Sequence, residues 1–127
     1  MKKLLLLLLC VPLIGLGQQT YVPDSAFEAY LEANGMGNGI FNDDSVLTAN
    51  INSVTSLNVN GQNISDLTGI EDFTALTYLY CDDNQLTSLD VSANTALESL
   101  LCYNNQLTSL DVSANTALTT FHCYNNQ

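Results

Sequence analysis

The residues of this chain with the most chemical potential are three cysteines and one histidine. Cys81, Cys102 and Cys123 recur every 21 residues, and His122 is the single histidine of the sequence. Thiols can form disulfides, bind zinc or act as nucleophiles. Zinc needs ligands that converge on one point, whereas residues at one position of a repeat stack as a straight column. The pattern therefore predicts no metal site.

A disulfide within such a column is disfavoured by its geometry. Stacked neighbours lie about 4.8 Å apart with parallel Cβ bonds, so their Cβ atoms stay farther apart than the ~3.8 Å that a disulfide prefers. Free cysteine behaves as a small apolar side chain in protein interiors. We predict that Cys81, Cys102 and Cys123 are buried, reduced thiols that fill space in the core.

Neither the histidine nor the paired acids form a recognisable catalytic set. His122 alternates with Cys123 in a strand pattern, so the two side chains point to opposite faces. Three pairs of adjacent acids fall at predicted exposed turns, where carboxylates are normally solvated. They are Asp43 and Asp44, Glu71 and Asp72, and Asp82 and Asp83. Catalytic triads, phosphate loops and calcium-loop spacing are absent, so we predict no enzyme activity and no cofactor.

The element that positions these residues is a repeat with two nested periods. Leu76, Leu97 and Leu118 are 21 residues apart, like the cysteines. Within each period the pattern Leu-xx-Leu-x-Cys-xx-Asn is followed by Leu-xx-Leu-x-Val-xx-Asn. The Leu-x-Cys part alternates as a strand does, and strands from successive turns stack into a parallel sheet. We predict a solenoid of stacked parallel β-strands with turns of 21–22 residues and little helix.

Each half-repeat ends in an asparagine that marks a turn of the chain. A buried turn leaves backbone groups without partners, and a carboxamide can both donate and accept hydrogen bonds. We therefore predict a structural ladder of asparagines rather than a catalytic role for them. The ladder residues are Asn84, Asn94, Asn105, Asn115 and Asn126.

The nested 10- and 11-residue units resemble a bacterial class of leucine-rich repeats. The preceding segment, Ile64 to Phe73, resembles the internalin-type repeat of bacterial surface proteins. The resemblance covers Val54 to Gln127 and departs from the usual pattern in placing Cys where Leu commonly stands. It implies a secreted bacterial leucine-rich-repeat protein whose exposed sheet recognises a protein or a glycan.

Residues 1–17 have the pattern of a secretory signal peptide. Lys2 and Lys3 precede an apolar run, and a small-x-small cleavage site follows at Gly15 to Gly17. The run is too short and wrongly flanked for a membrane span. We predict cleavage after Gly17 and a secreted or cell-surface location.

Residues 18–53 are predicted to form an N-terminal cap and lead-in to the repeats, which occupy 54–127. A helix start follows Pro23, with Asp24 or Ser25 as its N-cap. The helix presents three apolar side chains on one face, Phe27, Tyr30 and Leu31. That face is expected to cover the open edge of the first turn, since solenoids need polar-faced ends.

The charge of the chain excludes some classes of binding partner. The sequence has 13 acidic residues, and its two basic side chains, Lys2 and Lys3, leave with the signal peptide. Binding to nucleic acid or to an anionic membrane surface is thereby excluded. Asp90 and Asp111 are expected to stack about 4.8 Å apart, where a calcium ion could relieve their repulsion. A single file of acids is a poor calcium cage, so only weak calcium binding is predicted.

The clearest functional signal is a contrast between the two half-repeats. The second half-repeat has the same sequence at 86–96 and at 107–117, whereas the outward residues of the first half-repeat change from turn to turn. Many are aromatic or apolar, which a merely solvated face does not require. The alternative is that these rings pack on one another as cross-strand ladders. The predicted ligand-binding residues are Tyr78, Tyr80, Leu101, Tyr103, His122 and Tyr124.

The sequence thus predicts a recognition module that binds a protein or glycan through its repeat sheet. The repeats stop at Gln127 without a polar capping segment, which predicts a chain truncated at its C-terminus. Two alternatives therefore stay open. In one, the segment is the recognition or spacer arm of a longer secreted enzyme whose catalytic domain follows. In the other, it is a structural stalk.

Overall fold

The computed structural model describes residues 17–127, so the predicted signal peptide lies outside the described residues except for Gly17. In chain order the elements are β1 (Gln19–Tyr21), α1 (Ser25–Ala33), β2 (Ser45–Leu47), α2 (Thr48–Ile51), β3 (Ser56–Asn58), a 3-10 turn (Ile70–Asp72), β4 (Tyr78–Tyr80), β5 (Ser99–Leu101) and β6 (Thr120–His122). Within residues 17–127, no helix has the length and apolar character needed to cross a bilayer.

The stacked turns each add one short strand to a four-stranded parallel sheet in the order β3-β4-β5-β6. Their register follows the repeat, because Leu79 pairs with Leu57 on one side and with Leu100 on the other, and Leu100 pairs with Phe121. The offsets between these partners are the 22- and 21-residue periods of the sequence. The predicted solenoid of stacked parallel strands is confirmed.

The core is a set of inward columns that run through successive turns. Leu57, Leu79 and Leu100 form one such column and are almost completely buried. Other columns come from the rest of each turn, as at Leu76 and Leu97, which are also fully buried. Each inward side chain is covered by the turns on both sides of it, so burial depends on stacking rather than on any single turn.

The prediction that all three repeat cysteines are buried is wrong for Cys123. Cys81 and Cys102 are fully buried, but Cys123 is exposed, and its neighbour Phe121 is 39% exposed. Both side chains occupy inward repeat positions. They belong to the last described turn, which stacks only on the turn before it. One side of Cys123 and one side of Phe121 are therefore exposed to solvent.

The helix expected after Pro23 is α1, and Asp24 joins it to the first repeat. One carboxylate oxygen of Asp24 accepts the N–H groups of Ala26 and Phe27, at 3.0 and 2.9 Å, which caps the helix. The other oxygen accepts the N–H groups of Ser65 and Asp66, at 2.8 and 3.1 Å. On the inner face of the helix, the ring of Phe27 lies 6.4 Å from that of Phe73 and stacks on it.

The cap also contains a two-stranded antiparallel sheet, β1-β2, that the sequence analysis did not predict. Thr20 at the centre of β1 is buried, and its hydroxyl donates to Asp72 Oδ2 at 2.6 Å. The same hydroxyl lies 2.8 Å from that of Thr48. These contacts attach the cap to the 3-10 turn of the first repeat, next to Gly69, whose φ of 106° lies in the left-handed region.

Candidate binding face

The outward side chains of β3 to β6 form an open surface, here called the sheet face, made of three columns. The middle column holds Asn58, Tyr80, Leu101 and His122. One flanking column holds Ser56, Tyr78, Ser99 and Thr120. The other holds Asn60, Asp82, Tyr103 and Tyr124, held in register by ladder bonds that continue past the strands. The six predicted ligand-binding residues therefore lie on one surface, five of them in two adjacent columns.

Aromatic side chains dominate the C-terminal half of this face. The rings of Tyr103 and Tyr124 stack with centroids 4.7 Å apart and planes 7° from parallel. His122 lies 6.1 Å from the ring of Tyr124 at an interplanar angle of 45°. Tyr124 remains 56% exposed, so the stack still presents ring surface to solvent.

Tyr78 stands apart from the other tyrosines, at the opposite margin of the face. It is exposed, and its hydroxyl lies 3.4 Å from Glu98 Oε2 as a donor. Tyr80 and Leu101, in the middle column, are half-buried. The structure thus brings Tyr80, Leu101 and the stacked ring pair together, and leaves Tyr78 one column away.

Asp82 departs from its prediction as a solvated turn residue, because it is only 2% exposed. Asn60 donates to its carboxylate from the preceding turn. Tyr103 lies beside it in the following turn, and hydrogen bonding to Asp82, together with partial burial and the negative charge, raises the pKa of Tyr103 to about 12. The nearby Asp82 carboxylate thus disfavours ionisation of the Tyr103 phenol.

The N-terminal half of the sheet face contains a concavity of about 420 Å³. Asp82 contributes to its floor, and Tyr80, Leu101 and Tyr103 line it beside three amide side chains. The amides belong to Asn58, Asn60 and Gln62. This mixture of aromatic surface, amides and one carboxylate can accept hydrogen bonds and stack on a flat group at the same time.

Two columns of buried asparagines run through the turns. In the first, Asn105 Nδ2 donates to the carbonyls of Cys81 and Cys102 at 3.0 and 3.1 Å, while its Oδ1 accepts the Leu86 N–H at 3.0 Å. In the second, Asn94 Nδ2 donates to the carbonyls of Ile70 and Phe73. Asn84 and Asn126 repeat the first arrangement, and Asn115 repeats the second. Each asparagine therefore joins two turns.

A third, outer set of polar side chains was missed by the sequence analysis. Asn125 Nδ2 donates to Asn104 Oδ1 at 2.8 Å, and Asn104 Nδ2 donates to Asp83 Oδ1 at 2.7 Å. All three residues have positive φ between 52° and 54°, and Gly61 takes the same position one turn earlier with φ 65°. The sequence did contain a signal for this set, because Gly, Asp and Asn recur at this position and are the residues that adopt left-handed backbone most readily.

The cysteine column differs in reactivity along its length. Burial, followed by the proximity of Cys102 and Asp82, raises the pKa of Cys81 well above its ordinary value. Burial, followed by the proximity of Cys123 and Asp82, raises the pKa of Cys102 to about 12. The thiolate is the reactive form of cysteine. Cys81 and Cys102 are therefore unreactive for two reasons: reagents cannot reach the buried sulfur atoms, and the raised pKa values keep both thiols protonated.

We expect a thiol reagent to label Cys123 promptly in the native protein and to label Cys81 and Cys102 only after denaturation. Peptide mapping by mass spectrometry after a timed exposure measures each site separately. The denatured protein is the control for intrinsic reactivity. Prompt labelling at Cys81 or Cys102, or a mass deficit that reveals a bridge, would contradict this expectation.

The other side of the solenoid presents the predicted pair of stacked acids. Asp90 and Asp111 are exposed and line a concavity of about 450 Å³ with serine and threonine side chains. Hydrogen bonds from Ser92 lower the pKa of Asp90, and those from Ser113 lower the pKa of Asp111. Both groups therefore stay ionised at neutral pH, although the charge of Asp111 partly opposes the lowering at Asp90.

Millimolar calcium is expected to raise the melting temperature only slightly, by about 1 °C, because these two acids offer few ligands. Differential scanning calorimetry with and without calcium measures the shift. The variant Asp111→Asn removes one of the two charges and should abolish the rise. A tight site in a calorimetric titration would show that the acids form a better cage than their stacking implies.

The solved structures that this fold matches identify its type. The chain superposes on the functional domain of InlJ from Listeria monocytogenes, which includes a cysteine ladder, with a TM-score of 0.75 and 36% sequence identity over 87% of this chain and 25% of that one. The chain is an internalin-like bacterial leucine-rich-repeat protein. An internalin (inlF) from strain 4b F2365 of the same species matches with a TM-score of 0.74 and 25% identity, covering 84% of this chain and 31% of that one.

Sequence comparison agrees with this internalin-like assignment. The chain is 43% identical over 52 residues to internalin J of Listeria monocytogenes serotype 4b (strain F2365). The match covers 41% of this chain and 6% of that much longer protein. No protein-family model matches the chain.

Proposed function

We propose that this internalin-like chain is an exported recognition module that binds a protein or glycan partner through its sheet face. The observation that carries the proposal is the contrast between an invariant second half-repeat and a variable, aromatic first half-repeat. A solenoid needs apolar inward residues in order to stack, but it does not need outward tyrosines. Variation restricted to one exposed surface is what ligand recognition requires.

The geometry of the rings supports recognition over simple packing. Tyr103 and Tyr124 do stack, as the cross-strand alternative expects, yet Tyr124 keeps more than half of its surface exposed. A stacked ring has already lost much of its rotational freedom, so its burial by a partner costs less entropy.

Export is the second part of the proposal. The basic start and apolar run of residues 1–17 support it, as does the absence of Lys and Arg from residues 18–127. We infer that the chain acts outside the cell, secreted or held at the surface. Exposed acids over the whole molecule favour solubility in that setting.

The test begins by screening the full chain against glycan and surface-protein arrays, followed by variants on the partner found. Tyr124→Ala should weaken binding by about 30-fold, because loss of an aromatic anchor costs about 2 kcal/mol or more. Tyr80→Ala and Leu101→Ala should weaken it in the same direction. Surface plasmon resonance gives each dissociation constant.

The matched controls are Ser92→Ala and Ser113→Ala, which lie at exposed positions of the invariant half-repeat. Both should leave affinity unchanged within about twofold, since they lie outside the sheet face. The proposal fails if these serine variants abolish binding while the tyrosines can be removed freely. In that case the rings are packing ladders and recognition occurs on the other side of the solenoid.

A further inference from the structure

The stack of tyrosine rings on the sheet face ends at Tyr103, where the concavity begins. One face of the Tyr103 ring is covered by Tyr124, whose plane lies 7° from parallel to it. The other face is turned toward the preceding turns, and Tyr103 lines the concavity whereas Tyr124 does not. The next two positions of this column hold the shorter side chains of Asp82 and Asn60. The column therefore has room for one more ring against Tyr103.

The amide groups that line the rest of the concavity use only part of their hydrogen-bonding capacity. Asn60 Nδ2 donates to the carboxylates of Asp82 and Asp83. Gln62 Nε2 uses one of its two hydrogens on the Asn60 carbonyl, at 3.0 Å, and Asn58 Oδ1 accepts the Asn60 N–H at 3.1 Å. Within residues 17–127, Asn58 Nδ2 and the side-chain oxygens of Asn60 and Gln62 have no partner. The concavity thus offers both donors and acceptors to a ligand.

The groups of the concavity that a ligand can touch are polar but uncharged. Asn58, Asn60 and Gln62 are exposed, whereas Asp82, the one acid among the described lining residues, is only 2% exposed. A cationic ligand therefore meets no exposed carboxylate inside the concavity. An anionic ligand is repelled by Asp83 at the margin and has no Lys or Arg in residues 18–127 to pair with. The complementary ligand is a neutral one.

A neutral ring that matches both the tyrosine and the amides must be apolar on its face and polar at its rim. A pyranose has this form, because its C–H groups stack on an aromatic ring and each hydroxyl at its rim can donate and accept a hydrogen bond. A phenyl ring would also stack, but it would leave the amides of Asn58 and Gln62 without partners. A guanidinium group carries only donors, so it cannot accept from Asn58 Nδ2.

We propose that the concavity binds an uncharged hexopyranose unit of a glycan. The proposal rests on the proposed function and chooses glycan over protein within it. The sugar ring stacks on the free face of Tyr103 and extends the column of Tyr124 and Tyr103 by one ring. Its hydroxyls donate to the side-chain oxygens of Asn60 and Gln62, and they accept from Asn58 Nδ2 and from the second hydrogen of Gln62 Nε2.

The first experiment uses simple sugars as probes and observes the amides themselves. The full chain, labelled with ¹⁵N, is titrated with the methyl glycosides of glucose, galactose and mannose, and NMR follows its side-chain NH2 groups. At least one sugar should shift the NH2 resonances of Asn58 and Gln62 at or below about 50 mM. The NH2 resonances of Asn104 and Asn125, in the outer polar set, should stay in place.

Three comparison probes test the chemical class of the ligand. The uronic acid of the best-binding hexose has the same ring with a negative charge, and it should bind about tenfold or more weakly. p-Cresol and N-acetyl-arginine amide imitate a tyrosine and an arginine of a protein partner. Both should bind more weakly than the best hexose, because neither can both donate to and accept from the amides around its rim.

Matched variants assign the binding to the concavity. Tyr103→Ala and Tyr78→Ala remove the same side chain, one at the concavity and one at the opposite margin of the sheet face. Tyr103→Ala should weaken the best-binding glycoside by about tenfold or more, and Tyr78→Ala by less than about twofold. Tyr103→Phe keeps the ring and should retain affinity within about twofold. Gln62→Ala, at an exposed position, should weaken binding by about fivefold, even if Tyr103→Ala perturbs the fold.

Four results would overturn the sugar site. They are no shift from any of the three neutral glycosides, equal binding of the uronic acid, equal loss in Tyr78→Ala and Tyr103→Ala, and tighter binding of p-cresol or of the arginine probe, which would indicate a protein partner. None of these outcomes touches the proposed function. It depends on whether the partner found on the arrays requires Tyr124 and Leu101, and a protein partner that requires them would leave it intact.

Discussion

Replacing Asn105 with alanine is expected to lower the free energy of unfolding by about 3 kcal/mol. The side chain satisfies the carbonyls of Cys81 and Cys102 and the N–H of Leu86, each at 3.0 or 3.1 Å. Removing it leaves the buried Leu86 N–H without a partner, and an unpaired buried group costs about 1–3 kcal/mol. It also takes one hydrogen bond from each of the two carbonyls, which keep only their bonds from Asn84 and Asn126. Urea denaturation followed by circular dichroism measures the loss.

The matched control is Gln106→Ala, one residue further along. Gln106 is exposed, and its backbone N–H, which any residue keeps, already bonds to the Leu86 carbonyl. Its replacement should change stability by less than about 0.5 kcal/mol. Equal effects of the two substitutions, or a loss below about 1 kcal/mol for Asn105→Ala, would mean that water replaces the ladder and that the ladder contributes little.

The repeat could be predicted from the sequence because its physics is local and redundant. Leu79, Leu100 and Cys102 occupy positions whose inward direction follows from strand alternation, and each period supplies the same information again. The parallel register follows from the 21- and 22-residue offsets, and it holds for all three strand pairs. A pattern written several times leaves few alternative ways to stack.

The cap sheet could not be predicted in this way. β1 is three residues long and its inward residue is the polar Thr20, so it shows no apolar period. The partners of Thr20 are Thr48 and Asp72, which are 28 and 52 residues away in the chain. Such a strand is defined by tertiary contacts alone, and a single sequence does not reveal them.

The floor of the candidate site escaped the sequence analysis for a related reason. Asp82 and Asp83 stand side by side in the sequence and look equally solvated, yet Asp82 is buried and Asp83 is exposed. The difference comes from the residues one turn before and one turn after, Asn60 and Tyr103, which enclose the Asp82 carboxylate. Column neighbours 21–22 residues away, rather than chain neighbours, set the environment of each outward side chain.

Gly69→Ala is expected to lower the free energy of unfolding by about 3 kcal/mol, because it combines two separate penalties. The φ of 106° at Gly69 lies outside the conformations that side-chain-bearing residues adopt comfortably. A Cβ atom there would also stand 2.8 Å from Val22 Cγ2 and 2.9 Å from the carbonyl oxygen of Tyr21. Relief of that contact would require β1 to move off the first repeat. Thermal and urea denaturation measure the cost.

Gly61 provides the matched control, because it also has positive φ but a Cβ atom there meets nothing within 4 Å. Gly61→Ala should therefore cost about 1 kcal/mol, the backbone penalty alone. Gly61→Asn should be closer to neutral, since Asn104 and Asn125 occupy the same position in later turns with nearly the same φ. The excess loss in Gly69→Ala over Gly61→Ala then measures how tightly the cap is docked. If the two glycine-to-alanine variants lose equal stability, the cap yields to the added methyl group and its contact with the first repeat contributes little to the fold.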